Sequence, residues 1–94
     1  DLKKYAGKYP NIREAYIPGV ATMIRYDSSD NHLYRSRENS GSKGEKLYYL
    51  GDETFAYEKF PFDRTVFNTN DAGDVVGFQD YYNGLFLQLK FKSK

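Results

Sequence analysis

Ser40-Gly41-Ser42-Lys43 places a serine three residues before a lysine, the spacing at which a lysine amine can take the proton of a nucleophilic hydroxyl. That chemistry needs the serine at the start of a helix and the lysine one turn on, buried so that its pKa falls. The four residues instead lie in a polar run with two glycines, Glu38 to Lys46, which reads as a flexible loop, and neither a Ser-Asp-Asn nor a Lys-Thr-Gly partner is read for them. Chance spacing accounts for them. Ser28, Asp30 and His32 have the residue types of a hydrolytic triad, but neighbours this close point apart and cannot build the base-to-nucleophile geometry. Turn chemistry explains them.

Paired carboxylates, as in glycoside hydrolysis, are the remaining catalytic option. Asp80 is the acid that the strand register below places on a core face, and no second acid has a sequence reason to face it. Two readings follow: a pocket residue whose pKa is raised by desolvation, or a residue at a wet rim where the hairpin tip projects beyond the core. The rim is preferred. Asn68, Asn70, Asp71 and Asp74 offer oxygens around Gly73, but calcium-loop spacing and its closing glutamate are absent, so a turn explains them as well.

The aromatics make the strongest case for binding. Tyr48, Tyr49, Phe55, Tyr57, Phe60 and Phe62 crowd fifteen residues, and alternation cannot turn all of them to one core. Rings left outside, joined by Tyr81 and Phe86, could stack on a sugar, a peptide or unpaired bases, or dock against a neighbouring domain. Lys90, Lys92 and Lys94 alternate onto the same expected wet face, in the manner of a basic rim on a stacking platform. Lysines at a chain end also keep an edge strand soluble, and that explanation is favoured over nucleic acid.

Composition narrows the chemistry further. With no cysteine, thiolate nucleophiles, disulfides and Cys-ligated zinc are impossible, and one histidine excludes a multi-histidine metal site. No cofactor is expected. Fourteen Lys and Arg nearly cancel 13 Asp and Glu, leaving no single-sign field to advertise a polyanion. No apolar run approaches the roughly 20 residues of a membrane helix. The opening Asp1-Leu2-Lys3-Lys4 lacks an initiator methionine, which suggests an excised domain or a processed product.

The 94 residues allow one domain, residues 1–94, and its elements are nearly all strands. Val20 to Asp27, His32 to Arg37, Leu47 to Leu50, Thr54 to Glu58 and Arg64 to Asn68 are rich in β-branched and aromatic residues and are bounded by turn signals. The first eight residues could hold a helical turn capped by Asp1, with Leu2, Tyr5, Ala6 and Tyr9 at helical spacing and Gly7 and Pro10 ending it. Asn83-Gly84 predicts a two-residue type I′ hairpin. Its register sets Tyr82 opposite Leu85, Tyr81 opposite Phe86 and Asp80 opposite Leu87, continuing to Val76 with Phe91. One face then carries Val76, Phe78, Tyr82, Leu85, Leu87, Leu89 and Phe91 toward a core. The other carries Gln79, Gln88, Lys90 and Lys92 in water, with Tyr81 and Phe86 near the tip. Asn70 to Gly73 connects to a preceding strand and brings Phe67 beside Val76. Seven or eight short strands joined by tight turns predict an all-β fold, a small antiparallel barrel or strongly twisted meander sheet.

Three segments together resemble a known family. Leu2 with Tyr5-Ala6-Gly7-Lys8-Tyr9 resembles the "L-x-x-Y-x-G-x-Y" opening of a small all-β domain that follows the catalytic domain in bacterial serine β-lactamase-like and penicillin-binding-protein-like hydrolases. Leu47 to Leu50 with Glu53-Thr54-Phe55 is similar to its "L-x-x-x-x-x-x-x-F" step, and Phe67 to Phe78 to its "F-x-x-(D/N)-x-x-G-x-V-x-G-F/L" segment. The similarity spans nearly the whole chain. It implies a lipocalin-like accessory barrel without catalytic residues of its own, periplasmic or extracellular, whose partner is the hydrolase domain of the same polypeptide. The expected function is therefore non-enzymatic: docking on that domain or shaping access to it. The alternative is a β module that binds a carbohydrate or other small molecule through Tyr48, Tyr49, Tyr57, Phe60, Phe62, Asp80, Tyr81 and Phe86, with single-stranded nucleic acid third.

Overall fold

A computed structural model describes residues 1–10 and 19–93. Among the described residues a 3-10 turn, Leu2–Tyr5, is followed by eight strands: β1 Gly7–Tyr9, β2 Thr22–Asp27, β3 His32–Arg37, β4 Glu45–Gly51, β5 Thr54–Tyr57, β6 Arg64–Thr69, β7 Val75–Tyr82 and β8 Leu85–Phe91. Each is antiparallel to its neighbour in chain order, so the sheet is an up-and-down meander that curls into a nearly closed barrel. At the seam Ser93 N–H donates to the Lys8 carbonyl at 2.7 Å, joining the end of the chain to β1. The expected all-β architecture is observed. The N-terminal helical turn is shorter than its spacing allows, because Gly7 already begins β1.

Asp1 caps that turn by accepting from Lys3 N–H, and Tyr5 hangs from its end into the barrel. There Tyr5, Phe55, Phe67, Tyr9 and Phe78 form a chain of rings with centroids 4.8–5.8 Å apart. Ile24, Leu33, Leu47 and Val75 fill in around them. Edge-to-face packing of this kind adds about 0.5–1.5 kcal/mol per pair beyond area burial. The two polar ring ends are satisfied locally: Tyr9 Oη donates to the Tyr5 carbonyl at 2.6 Å, and Tyr5 Oη donates to Glu53.

The last hairpin corrects the expected faces. Asn83 and Gly84 both have positive φ, 50° and 86°, as a type I′ turn requires, and Tyr82↔Leu85 and Tyr81↔Phe86 pair as anticipated. The next pair, however, is Asp80↔Gln88, followed by Gln79↔Leu89, Phe78↔Lys90 and Gly77↔Phe91. Leu87 is the extra residue of a β-bulge. One inserted residue exchanges the faces of everything beyond it, so Gln88 and Lys90 turn into the barrel while Leu87, Leu89 and Phe91 turn out. A second bulge, at Val76, does the same to the β6–β7 register: Phe67 pairs with Phe78, Thr69 with Val75, and Val76 is exposed where Val75 is buried. Tyr82 and Leu85, also expected in the core, flank the turn in solvent. Gly77 is the residue that tolerates the resulting crowding, since a Cβ there would stand 2.4 Å from the Lys90 carbonyl oxygen.

Stability therefore ranks the β8 positions in the opposite order to a simple alternation. Leu87→Ala is expected to change the unfolding free energy by no more than about 0.5 kcal/mol. Gln88→Ala, which takes a donor from a buried carboxylate, costs about 1–3 kcal/mol. Urea denaturation of the two variants decides between the registers; a larger loss for Leu87→Ala would restore the unbulged hairpin.

Candidate functional site

Alternation on β3 sends Leu33 and Arg35 to the same, inward face, and the strand carries the guanidinium past the hydrophobic half of the barrel into its other half. The Arg35 guanidinium lies over the Phe78 ring, 4.9 Å from its centroid. It grips Asp80 in a two-point pair, Nη1 to Oδ1 and Nη2 to Oδ2, both at 2.8 Å. Neighbouring strands complete the carboxylate's shell. Thr65 on β6 donates to Oδ1 at 2.8 Å, and Gln88 Nε2 on β8 donates to Oδ2 at 2.8 Å. Arg35 also donates to the Tyr57 hydroxyl at 2.7 Å, and Tyr57 in turn bonds Thr65.

Asp80 is thus inside, 6% exposed, and the expected wet rim is wrong for it. The raised pKa attached to the interior reading is also corrected. Burial does push the carboxyl up, but the hydrogen bonds and charge of Arg35, with Gln88 and Thr65 assisting, outweigh it and hold Asp80 below the usual carboxylate range. A carboxylate held ionised in this way is an anchor, not a proton donor.

Beside the network lies a pocket of about 260 Å³ at the polar mouth of the barrel. It is lined by Arg35, Glu45, Tyr57 and Asp80 from the wall, Gln88 and Leu87 from β8, Tyr81 and Tyr82 from β7, and Phe60, Asp63 and Arg64 from the β5–β6 connection. Four of the eight sequence candidates, Tyr57, Phe60, Asp80 and Tyr81, therefore meet at one place. Phe62 borders an adjoining groove with Tyr81, and Phe86 packs edge-on against Tyr81 with centroids 5.9 Å apart. Tyr48 and Tyr49 do not line the pocket. Tyr48 stacks edge-on with His32, and Tyr49 leans on Phe55. Tyr57 is buried with its hydroxyl committed, so it offers no stacking face.

Arg35, Glu45, Thr65 and Gln88 escaped the sequence reading. The shared parity of Leu33 and Arg35 was a usable signal for the first. Gln88 gave none, because its inward turn depends on the bulge.

The other motifs resolve as turn chemistry. Ser40 and Ser42 accept from Ser42 N–H and Gly44 N–H, and Lys43 is tied to Asp27 and lies over Tyr34. The ion pair with Asp27 raises the Lys43 pKa, the reverse of what a general base needs. Ser29-Asp30-Asn31, overlooked in the sequence, spells the Ser-Asp-Asn companion of a Ser-x-x-Lys nucleophile. It forms the β2–β3 turn, where Ser29 bonds Asp27 and Asn31 accepts from Tyr26. His32 Nδ1 donates to the Leu47 carbonyl at 3.0 Å rather than to a serine. Asn70 Oδ1 accepts from Ala72 and Asp74 N–H and closes the β6–β7 turn. The basic rim is a correction: Lys90 is buried, with Nζ donating to Thr22 Oγ1 at 3.1 Å. Lys92 bonds the Lys4 carbonyl, and Lys94 lies outside the described residues.

The second conspicuous surface is the outside of β8. Leu85, Leu87 and Phe91 are each at least 60% exposed, and Phe86, Leu89 and Val76 continue the patch. Large apolar residues left exposed together along one strand mark an interaction surface more often than singly scattered ones do.

The pH dependence of the network has a definite sign. Because Asp80 is depressed in the folded state, its stabilisation is complete above its unfolded pKa near 4 and is lost as the pH falls through the lower folded value. Asp80→Asn should cost stability at neutral pH and flatten the acid limb of a thermal-stability profile relative to the parent; parallel acid limbs would refute the ionised anchor. Arg35→Ala, leaving the carboxylate buried and unpaired, is expected to cost about 3–5 kcal/mol. No family model, curated protein or solved structure matches this chain.

Proposed function

We propose that this barrel is a non-catalytic accessory domain that docks through the outer face of β8 onto a serine-hydrolase domain preceding it in the same polypeptide, in a periplasmic or extracellular protein. The observation that carries the docking is the apolar exterior of β8, five of whose seven residues are large, apolar and exposed. Leaving such a face in water forfeits roughly 25 cal/mol for each Å² that a partner would cover.

The partner's identity rests on the family resemblance of the three sequence segments. Ser93 bonds Lys8 and Lys92 bonds Lys4, so the chain start lies against the Phe91 end of β8. A domain joined before Asp1 would be held beside the patch at high effective concentration, and even a modest interface would then suffice. A carbohydrate held by exposed tyrosines is less well supported, because Tyr57 is buried and Tyr48 and Tyr49 do not line the pocket.

Two results test the proposal. The gene should continue upstream of the Asp1 codon into a serine-hydrolase domain; a reading frame that opens just before Asp1 overturns it. In the complete chain, Leu87→Lys with Leu89→Lys should leave barrel unfolding unchanged. The same pair should make the interdomain linker about tenfold more susceptible to limited proteolysis, the loss of about 1.4 kcal/mol of docking energy. Unchanged linker cleavage would show that β8 docks nothing.

A further inference from the structure

Arg64 opens β6, and alternation with the buried Thr65 turns it to the outer wall of the barrel, where its neighbours across the sheet are Ala56 and Tyr81. Its Nη1 atom donates to the Pro61 carbonyl at 2.7 Å and to the Asp63 carbonyl at 2.8 Å. Those two bonds fix the head group without neutralising it. Among the described residues Nε and Nη2 have no acceptor, and no carboxylate forms an ion pair with Arg64. Nε and Nη2 make up one edge of the guanidinium plane, and two parallel N–H groups on such an edge match the two oxygens of a carboxylate.

That head group lines an open groove of about 540 Å³ with Thr54, Phe62, Val66, Tyr81 and Asn83. No acid lines it among the described residues, so the charge of the groove is positive. The Thr54 hydroxyl donates to the Asp52 carbonyl and the Tyr81 hydroxyl to Gln79, whereas the Asn83 side-chain amide bonds no described residue. The uncommitted donors therefore belong to Arg64 and Asn83, beside an apolar wall of Val66, Tyr81 and the 73% exposed ring of Phe62. From this geometry we infer that the groove binds a small organic carboxylate with an aromatic body, its two oxygens on Nε and Nη2 of Arg64 and its ring against Phe62 and Val66. The volume lies within the roughly 300–1,000 Å³ of small-molecule sites. The groove shares no residue with the β8 face, although Tyr81 packs on Phe86, and the inference does not rest on docking.

Titration of the 15N-labelled chain with 3-phenylpropionate, and in parallel with 3-phenylpropan-1-ol, provides the test. The carboxylate should give saturable shifts at the backbone amides of Arg64, Val66, Tyr81 and Gly84, and the alcohol of similar size should not. Arg64→Gln should weaken binding about tenfold, and so should Phe62→Ala, which lies in an exposed connection and should leave the unfolding temperature unchanged. Leu87→Lys with Leu89→Lys should bind the carboxylate like the parent. Equal binding of the alcohol, no saturable shift with the carboxylate, or an unchanged affinity in either groove variant would overturn the assignment, as would loss of binding in the β8 pair.

Discussion

The pairing of Arg35 with Asp80 is the constraint around which the barrel is organised. Two opposite charges buried in a small interior are tolerated only when the geometry is good and the remaining lone pairs are met. Here both oxygens of Asp80 receive a second donor, from Thr65 and Gln88, and the guanidinium rests on Phe78. The donors come from β3, β6 and β8, so one carboxylate on β7 ties together strands far apart in the chain. The Leu87 bulge follows from the same demand: without it Leu87 would face Asp80, and with it Gln88 does.

That arrangement divides the interior in two. Around Tyr5, Tyr9, Phe55, Phe67 and Phe78 the barrel is packed with rings; toward the mouth it is polar and partly open. Placing Gln88 and Lys90 inside leaves the alternate residues of β8 no choice but to face outward, and those residues are Leu87, Leu89 and Phe91. The apolar exterior and the polar mouth are two consequences of one register shift.

Particular residues show where sequence reasoning holds. His32 to Arg37 was bounded correctly because turn residues flank it on both sides, and Asn83-Gly84 marked its hairpin because few other pairs accept positive φ at both positions. Asp80 was singled out as the one acid the register set on a core face, but the preferred reading left it at a wet rim, and it is buried. Tyr57 and Phe60, grouped by local density, and Tyr81, added from the hairpin tip, do line one pocket, while Tyr48 and Tyr49, grouped by the same density, do not. Density of rings along a chain says that a surplus exists and not where it is displayed.

Local signals, namely alternation, turn residues and the absence of cysteine, were enough to establish an antiparallel all-β domain with an aromatic interior and to exclude thiolate and Cys-zinc chemistry. Tertiary structure alone decided which face of β8 is inside and that Asp80 is ionised against Arg35. The physical reason is that a bulge has no local signature in Leu85 to Phe91. The bulge sets Gln88 against Asp80, and Asp80 is buried there because it pairs with Arg35, forty-five residues away in the chain.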